Sequence, residues 1–312
     1  MQNSSAVTEF LLLGLYGTFY GVRIFFFIVF LAAYITSLSG NFLIILLVST
    51  IIRLNAPMYN FLWSLSLCEI VLTSVLVPRV LNVLIQEIGT IEFYHCIFQF
   101  YMLSSSVATE CFILSLMSYD RYLAICNPLH YFSLMKNDIC LKLNISCWLC
   151  GYALAVVGLA PLSTLQFCGP NVMDHFFCDL TPILKLSCTD TYAVEMEIFV
   201  FTFPVISFPF LFIICTYIRI IVTILKLPQA TSRKKAFSTC SSHLTVVSTY
   251  YGTLTIMYVV PSKGFSFNAN KYWSLLYSIA TPLLNPIVYS LRNWEIKEGI
   301  KKLFNYRQSI YS

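Results

Sequence analysis

Charge is scarce in this chain: 11% of its residues are Asp, Glu, Lys or Arg, where a soluble domain carries about 25%. That shortage excludes water as the solvent for most of the surface. Hydrophobic residues make up 58% instead, and the mean hydropathy is +0.77. Seven apolar stretches, near 24–50, 59–85, 98–125, 140–165, 196–225, 237–260 and 272–291, can each cross a hydrocarbon core, which takes roughly 20 residues of helix. Ser, Thr and Tyr dilute the last two. The composition reads as an all-α integral membrane protein, a seven-transmembrane helix bundle forming a single domain over residues 1–312. Residues 1–23 precede the first span and 292–312 follow the last, with a short amphipathic helix in that tail.

Other absences narrow the reading. Basic and aromatic residues do not interleave, so the net charge of +5 does not point to nucleic acid. It reflects topology, because cytoplasmic loops carry excess Lys and Arg. Arg53, Lys136, the group Lys226, Arg233, Lys234 and Lys235, and the tail residues Lys297, Lys301, Lys302 and Arg307 fall on one side. Glu87, Glu92, Asp174, Asp179, Asp190, Glu195 and Glu197 fall on the other. Only seven spans, with the N-terminus extracellular and the tail cytoplasmic in a cell membrane, produce that alternation. No cleavable signal is evident: Phe10–Leu13 is a short apolar run with nothing basic before it. Internal repeats, usual in transporters, are missing too. Asn3-Ser4-Ser5 is a glycosylation sequon on the expected outer side; Asn144-Ile145-Ser146 falls inside span four, where it is idle.

Twelve cysteines sort by location. Cys96 opens span three on the outer side, and Cys168, Cys178 and Cys188 cluster in the long outer loop. An oxidising compartment favours two disulfides there, and four cysteines allow three pairings. Cys147 and Cys150 have CxxC spacing but sit in an apolar helix, where the spacing is not a metal site. The remaining cysteines read as small buried apolar residues.

Two carboxylates stand where ionisable groups are costly and default to function: Glu69 in span two and Glu110 in span three. At about 1.5 Å per residue, both lie roughly 16 Å from the inner ends of their helices, so they share a depth, with Asn41, Ser115 and Asn285 as polar neighbours. Two such groups cannot both ionise cheaply unless a cation joins them; otherwise one holds a proton. Sodium and a shared proton both remain open, as does a purely structural hydrogen-bonded network. Leu103, Val107, Glu110, Leu114, Met117 and Arg121 recur at steps of four and three, one helical stripe joining the two ends of span three. Pro204, Pro209, Pro282 and Pro286 mark kinks in spans five and seven.

Several motifs carry a resemblance. Gly40-Asn41, PMYNFLWSLS from Pro57 to Ser66, MSYDRYLAICNPLHY from Met117 to Tyr131, KAFSTCSSHL from Lys235 to Leu244 and PLLNPIVYSLRN from Pro282 to Asn293 together resemble the olfactory receptors, a branch of the rhodopsin-like G-protein-coupled receptors. The likeness covers essentially the whole chain. It implies Cys96–Cys178 and Cys168–Cys188 bridges, and an inner latch in which Asp120 restrains Arg121 beside Tyr122 until activation. Tyr217, Asn285, Pro286 and Tyr289 match the family's switch positions, and His243 lies near them. It places the ligand cavity among Leu103, Ser104, Val107, Ala108, Phe201, Thr202, Val205, Tyr251, Thr255, Tyr258 and Ser278.

There are departures. Glu69 stands where Asp is usual, Asn55 where His is usual, and Gly299 where Ala is common, the last costing up to about 1 kcal/mol of helix propensity. The tail has no cysteine for a palmitoyl anchor; its lysines suit anionic lipid instead. None of the cavity residues is a carboxylate, which excludes amine recognition and suits a small, mostly uncharged odorant. The resemblance implies an odorant receptor, not an enzyme, that works through the olfactory stimulatory G protein and cyclic AMP with no cofactor, a bound sodium ion at the carboxylate pair being left open. The alternatives are a metabolite receptor outside smell, or a transporter or channel using the carboxylates as a polar path.

Overall fold

The computed structural model describes residues 7–50, 57–168, 170–258, 267–292 and 296–301. Asn3 and Asn55 lie outside them, as does the side chain of Tyr258. Seven long helices form the bundle: α1 (Tyr20–Thr50), α2 (Pro57–Gln86), α3 (Phe93–Cys126), α5 (Asn137–Leu159), α7 (Tyr192–Leu225), α8 (Ala230–Tyr258) and α9 (Phe267–Arg292). Two short helices, α4 (Pro128–Leu134) and α6 (Leu180–Lys185), sit in the connections at opposite ends. Five of the long helices are apolar enough to cross a membrane by length and composition alone. The hydroxyl-rich α8 and α9 complete the seven-span bundle of a multi-pass membrane protein.

Helix ends depart from the apolar runs for local reasons. α5 stops at Leu159 and gives way to a 3₁₀ turn over Ala160–Thr164, because Pro161 lacks the N–H that would continue the α-helical ladder. α3 and α7 start at Phe93 and Tyr192, ahead of their apolar stretches. Helical hydrogen bonding continues into the polar boundary, where Glu195 occupies the first turn of α7.

To the expected helical bundle the structure adds one small element of sheet. A small sheet caps the disulfide end, with β1 (Glu9–Leu12) between antiparallel β2 (Gly89–Glu92) and parallel β3 (Val172–Met173). Strands of four, four and two residues are too short to show as alternation. Their inward side chains, Phe10, Leu12, Ile91 and Met173, are buried. Glu87, in a left-handed conformation with φ of 69°, turns the chain from α2 into β2. Its carboxylate pairs with Arg23 at 2.8 Å and accepts from the Gly17 N–H. The Arg23 hydrogen bond, with help from Gly17, holds this carboxyl below the usual range.

Span three is the axis of the bundle. It packs on α2, α5 and α7, and α5 reaches it closely because Gly151 has no side chain: a Cβ there would lie 2.2 Å from Thr109 Oγ1. Trp148 of α5 donates to Ser64 of α2 at 2.7 Å. α1 meets α9 at another glycine, where a Gly40 Cβ would fall 2.9 Å from the Pro286 Cβ. Pro286 has no N–H to give the Pro282 carbonyl four residues earlier. Ser37 donates to that carbonyl at 2.9 Å and Asn41 at 3.2 Å. Asn41 and Ser37 thus satisfy the carbonyl that Pro286 leaves free, beside the close approach at Gly40.

Candidate functional site

Three sites lie along span three. The first is a cavity of about 90 Å³ in its disulfide-end half. Leu103, Ser104, Val107 and Ala108 of α3 line it, with Phe201, Thr202 and Val205 of α7 opposite. The structure moves its remaining wall. Tyr251, Thr255 and Ser278 do not line it: Tyr251 stacks on Phe210 with ring centroids 4.5 Å apart, Thr255 donates back to the Tyr251 carbonyl, and the buried Ser278 donates to Leu275 O. Leu154, Ala155 and Gly158 of α5 and Leu180 of α6 take their place. The missed signal was the run of small residues Gly151, Ala155 and Gly158, spaced four and three apart on one helix face. Tyr250 of α8 donates to the carbonyl of the lining residue Val107 at 2.8 Å.

The second site is the carboxylate pair at mid-bundle. Glu69 and Glu110 are both buried. Asn285 donates through Nδ2 to Glu69 Oε1, and Asn41 is anchored to Ser37 and Pro282. Four buried side-chain oxygens lack a hydrogen-bond partner here: Asn41 Oδ1, Glu69 Oε2, Glu110 Oε1 and Asn285 Oδ1. Hard oxygens left unpaired in the interior are costly, and they are the donor set a hard cation takes. Ser115 is a correction to the expected neighbours. Its hydroxyl donates to Cys111 O and towards Pro209 O on α7, so it serves the contact between spans three and five.

The third site is the Arg121 end. Tyr217 and His243 meet through the phenol oxygen and Nδ1 at 2.7 Å with their rings stacked, and Tyr289 is fully buried. The Arg121 charge acts on all three side chains, and its Nε is buried without a partner. The expected ion pair with Asp120 is not among the ion pairs of the described residues. Asp120 instead accepts from Tyr131 of α4 at 2.8 Å. Successive residues on a helix do not face each other, so Asp120 reaches the connecting helix while Arg121 turns into the bundle. Tyr122 points elsewhere too, stacking on Tyr119.

Two disulfides, Cys96–Cys178 and Cys168–Cys188, tie down the sheet end. Within the same loop His175 is buried. Its Nδ1 faces the Phe177 carbonyl at 2.8 Å and its Nε2 the Ser274 hydroxyl of α9 at 2.9 Å. The Phe177 carbonyl only accepts and lies closer to Nδ1 than the Phe177 N–H does at 3.4 Å, so Nδ1 carries the proton and Nε2 accepts from Ser274. Burial lowers the affinity of this imidazole for a second proton. Lys271 of α9 pairs with Asp174 beside it.

Seven spans around a central third helix, with a cavity towards one end and a half-buried arginine at the other, define a G-protein-coupled receptor. Residues 30–307 match the family described as olfactory receptor. Human olfactory receptor 10A7 is 46% identical over 301 residues, 96% of this chain and 95% of the relative. Human olfactory receptor 6N1 is 45% identical over 300 residues, 96% of each. Mouse olfactory receptor 5G25 is 43% identical over 303 residues, 97% of this chain and 95% of the relative. The chain belongs to the olfactory receptor family.

Proposed function

We propose that this receptor binds a small, uncharged odorant in the cavity between spans three, four and five and activates a stimulatory G protein that raises cyclic AMP. The sheet end faces outside and the Arg121 end faces the cytoplasm, as the basic loops require. One observation carries the reading: Leu103 and Val107 line the cavity on the helix face that Arg121 continues at the other end. Apolar side chains supply most of the cavity wall, with the Ser104 and Thr202 hydroxyls as polar points. A molecule with one oxygen function suits such a lining.

Asn41, Glu69, Glu110 and Asn285 would hold a monovalent hard cation, and their unpartnered oxygens fit it. Such an ion supplies positive charge between two carboxylates that would otherwise repel by several kcal/mol at an effective dielectric near ~20. The side chains come from spans one, two, three and seven, so their oxygens tie those helices in one arrangement. Odorant shifts a balance between arrangements only by binding one of them better.

The test is a panel of small alcohols, aldehydes, esters and quaternary amines applied to cells expressing the receptor, read as cyclic AMP. Neutral single-oxygen compounds should respond, and Val107→Trp should reduce their potency at least tenfold at matched surface density. A quaternary amine as best agonist, or unchanged potency in Val107→Trp, would contradict the assignment.

A further inference from the structure

The cavity borders the bilayer as well as the bundle. Two of its lining residues, Leu154 of α5 and Phe201 of α7, are 37% and 46% exposed. Both sit inside the outer halves of membrane-crossing helices, so what they are exposed to is lipid. α5 and α7 each pack extensively on α3 and far less on each other. The seam between them is therefore loose, and Gly158 lies on it without a side chain. A Cβ at Gly158 would meet nothing within 4 Å, unlike one at Gly151 a little deeper on the same helix, which would strike Thr109. Towards the outside the cavity has a roof. Leu180 of the outer-loop helix lines it, and Phe176, Phe177 and the Cys96–Cys178 bridge are buried alongside.

We infer that the seam between spans four and five, at Leu154, Gly158 and Phe201, is a lipid-side gate through which odorants dissolved in the outer leaflet reach the cavity. The inference rests on the cavity being the odorant site. It adds a physical filter to the chemistry of the wall. A solute must first partition into hydrocarbon, which favours each added CH₂ by about 0.8 kcal/mol, roughly fourfold in concentration at the gate. Discrimination along a homologous series then comes partly from the membrane, and charged molecules are rejected before they meet the wall. Gly158 leaves the gate open, and the Leu154 and Phe201 side chains flank it.

Access is a rate, so the test separates rate from capacity. Purified full-length receptor in phospholipid nanodiscs is mixed rapidly with octanol carrying a diazirine. It is flashed at increasing delays, and labels within 103–108 and 201–206 are counted by mass spectrometry. Gly158→Phe, at a position that also lines the cavity, should slow labelling of these segments about tenfold, a larger change than any fall in the plateau. Leu149→Phe, on the lipid face of the same helix, should alter neither. Binding of the native G protein to both variants, measured on the same samples, reports that each is folded. A wild-type rate in folded Gly158→Phe would overturn the gate, as would a lower plateau at the wild-type rate, which means the ring fills the cavity. A wild-type receptor that is never labelled in these segments would sink the cavity itself as the odorant site, a different failure.

Discussion

Asp120 and Arg121 are neighbours in sequence that bond to different partners, although the Arg121 charge still acts on the Asp120 carboxylate. The acid accepts from Tyr131 and the base turns towards Tyr217, His243 and Tyr289. The resemblance implied a latch between the two; consecutive side chains on a helix diverge by about 100°, and no ion pair joins these two among the described residues. Asp120 therefore acts on α4. Tyr131→Phe removes the donor from a buried carboxylate, a loss of about 1–3 kcal/mol. It should lower the maximal cyclic AMP response at matched surface density with basal signal unchanged. A rise in basal signal would show that Asp120 does restrain Arg121. At mid-bundle, the unpartnered oxygens of Glu69 and Glu110 favour a cation over a purely hydrogen-bonded network. Raising sodium at constant ionic strength should weaken agonist potency several-fold, and Glu110→Gln should abolish that dependence. Potency that ignores sodium and follows pH would assign a shared proton instead.

Helix-level features were legible where the apolar period was long and opaque where contact was sparse or local. The seven spans, the span-three face and the kinks at Pro282 and Pro286 follow from patterns of ten residues or more. The cap escaped notice because β1 gains its place from partners 77 to 161 residues away, and no local propensity encodes that. The cavity wall shifted from spans six and seven to span four because Gly151 lets that helix approach span three, a consequence of a side chain that is absent. The same logic gives Gly40 a measurable role. Gly40→Val forces its Cβ into Pro286 and should destabilise the detergent-solubilised receptor by about 1–3 kcal/mol, the usual cost of overpacking. A thermal shift indistinguishable from wild type would show that spans one and seven have slack.

His175 joins the outer loop to span seven, and its acid sensitivity has a definite sign. The buried imidazole binds a proton less readily than a free one, whose pKa is 6.5. Its contribution is therefore complete above about 6.5 and declines as pH falls below that towards the lowered folded value. Asp174, Asp179 and Lys271 surround it, so the control is the residue itself. Thermal stability should fall from pH 7.5 to 5.5 in wild type and fall less in His175→Asn. Equal slopes would remove His175 as the cause.

For the whole molecule, the central claim is that cavity and Arg121 end are two sites on one mechanical element, span three. Glu110 sits between them on the same helix, and its partner Glu69 of span two accepts from Asn285 of span seven, where Asn41 of span one is also anchored. Coupling between two sites is reciprocal: if odorant promotes G-protein binding, G protein must tighten odorant binding by the same factor. The most direct test is the affinity of purified, nanodisc-held receptor for an agonist from the odorant panel, with and without nucleotide-free stimulatory G protein. The account predicts a tightening of roughly 5- to 150-fold, the range of ordinary allosteric coupling, which disappears in Arg121→Ala while affinity without G protein stays the same. Equal affinity in the presence and absence of G protein, or undiminished tightening in Arg121→Ala, would contradict it.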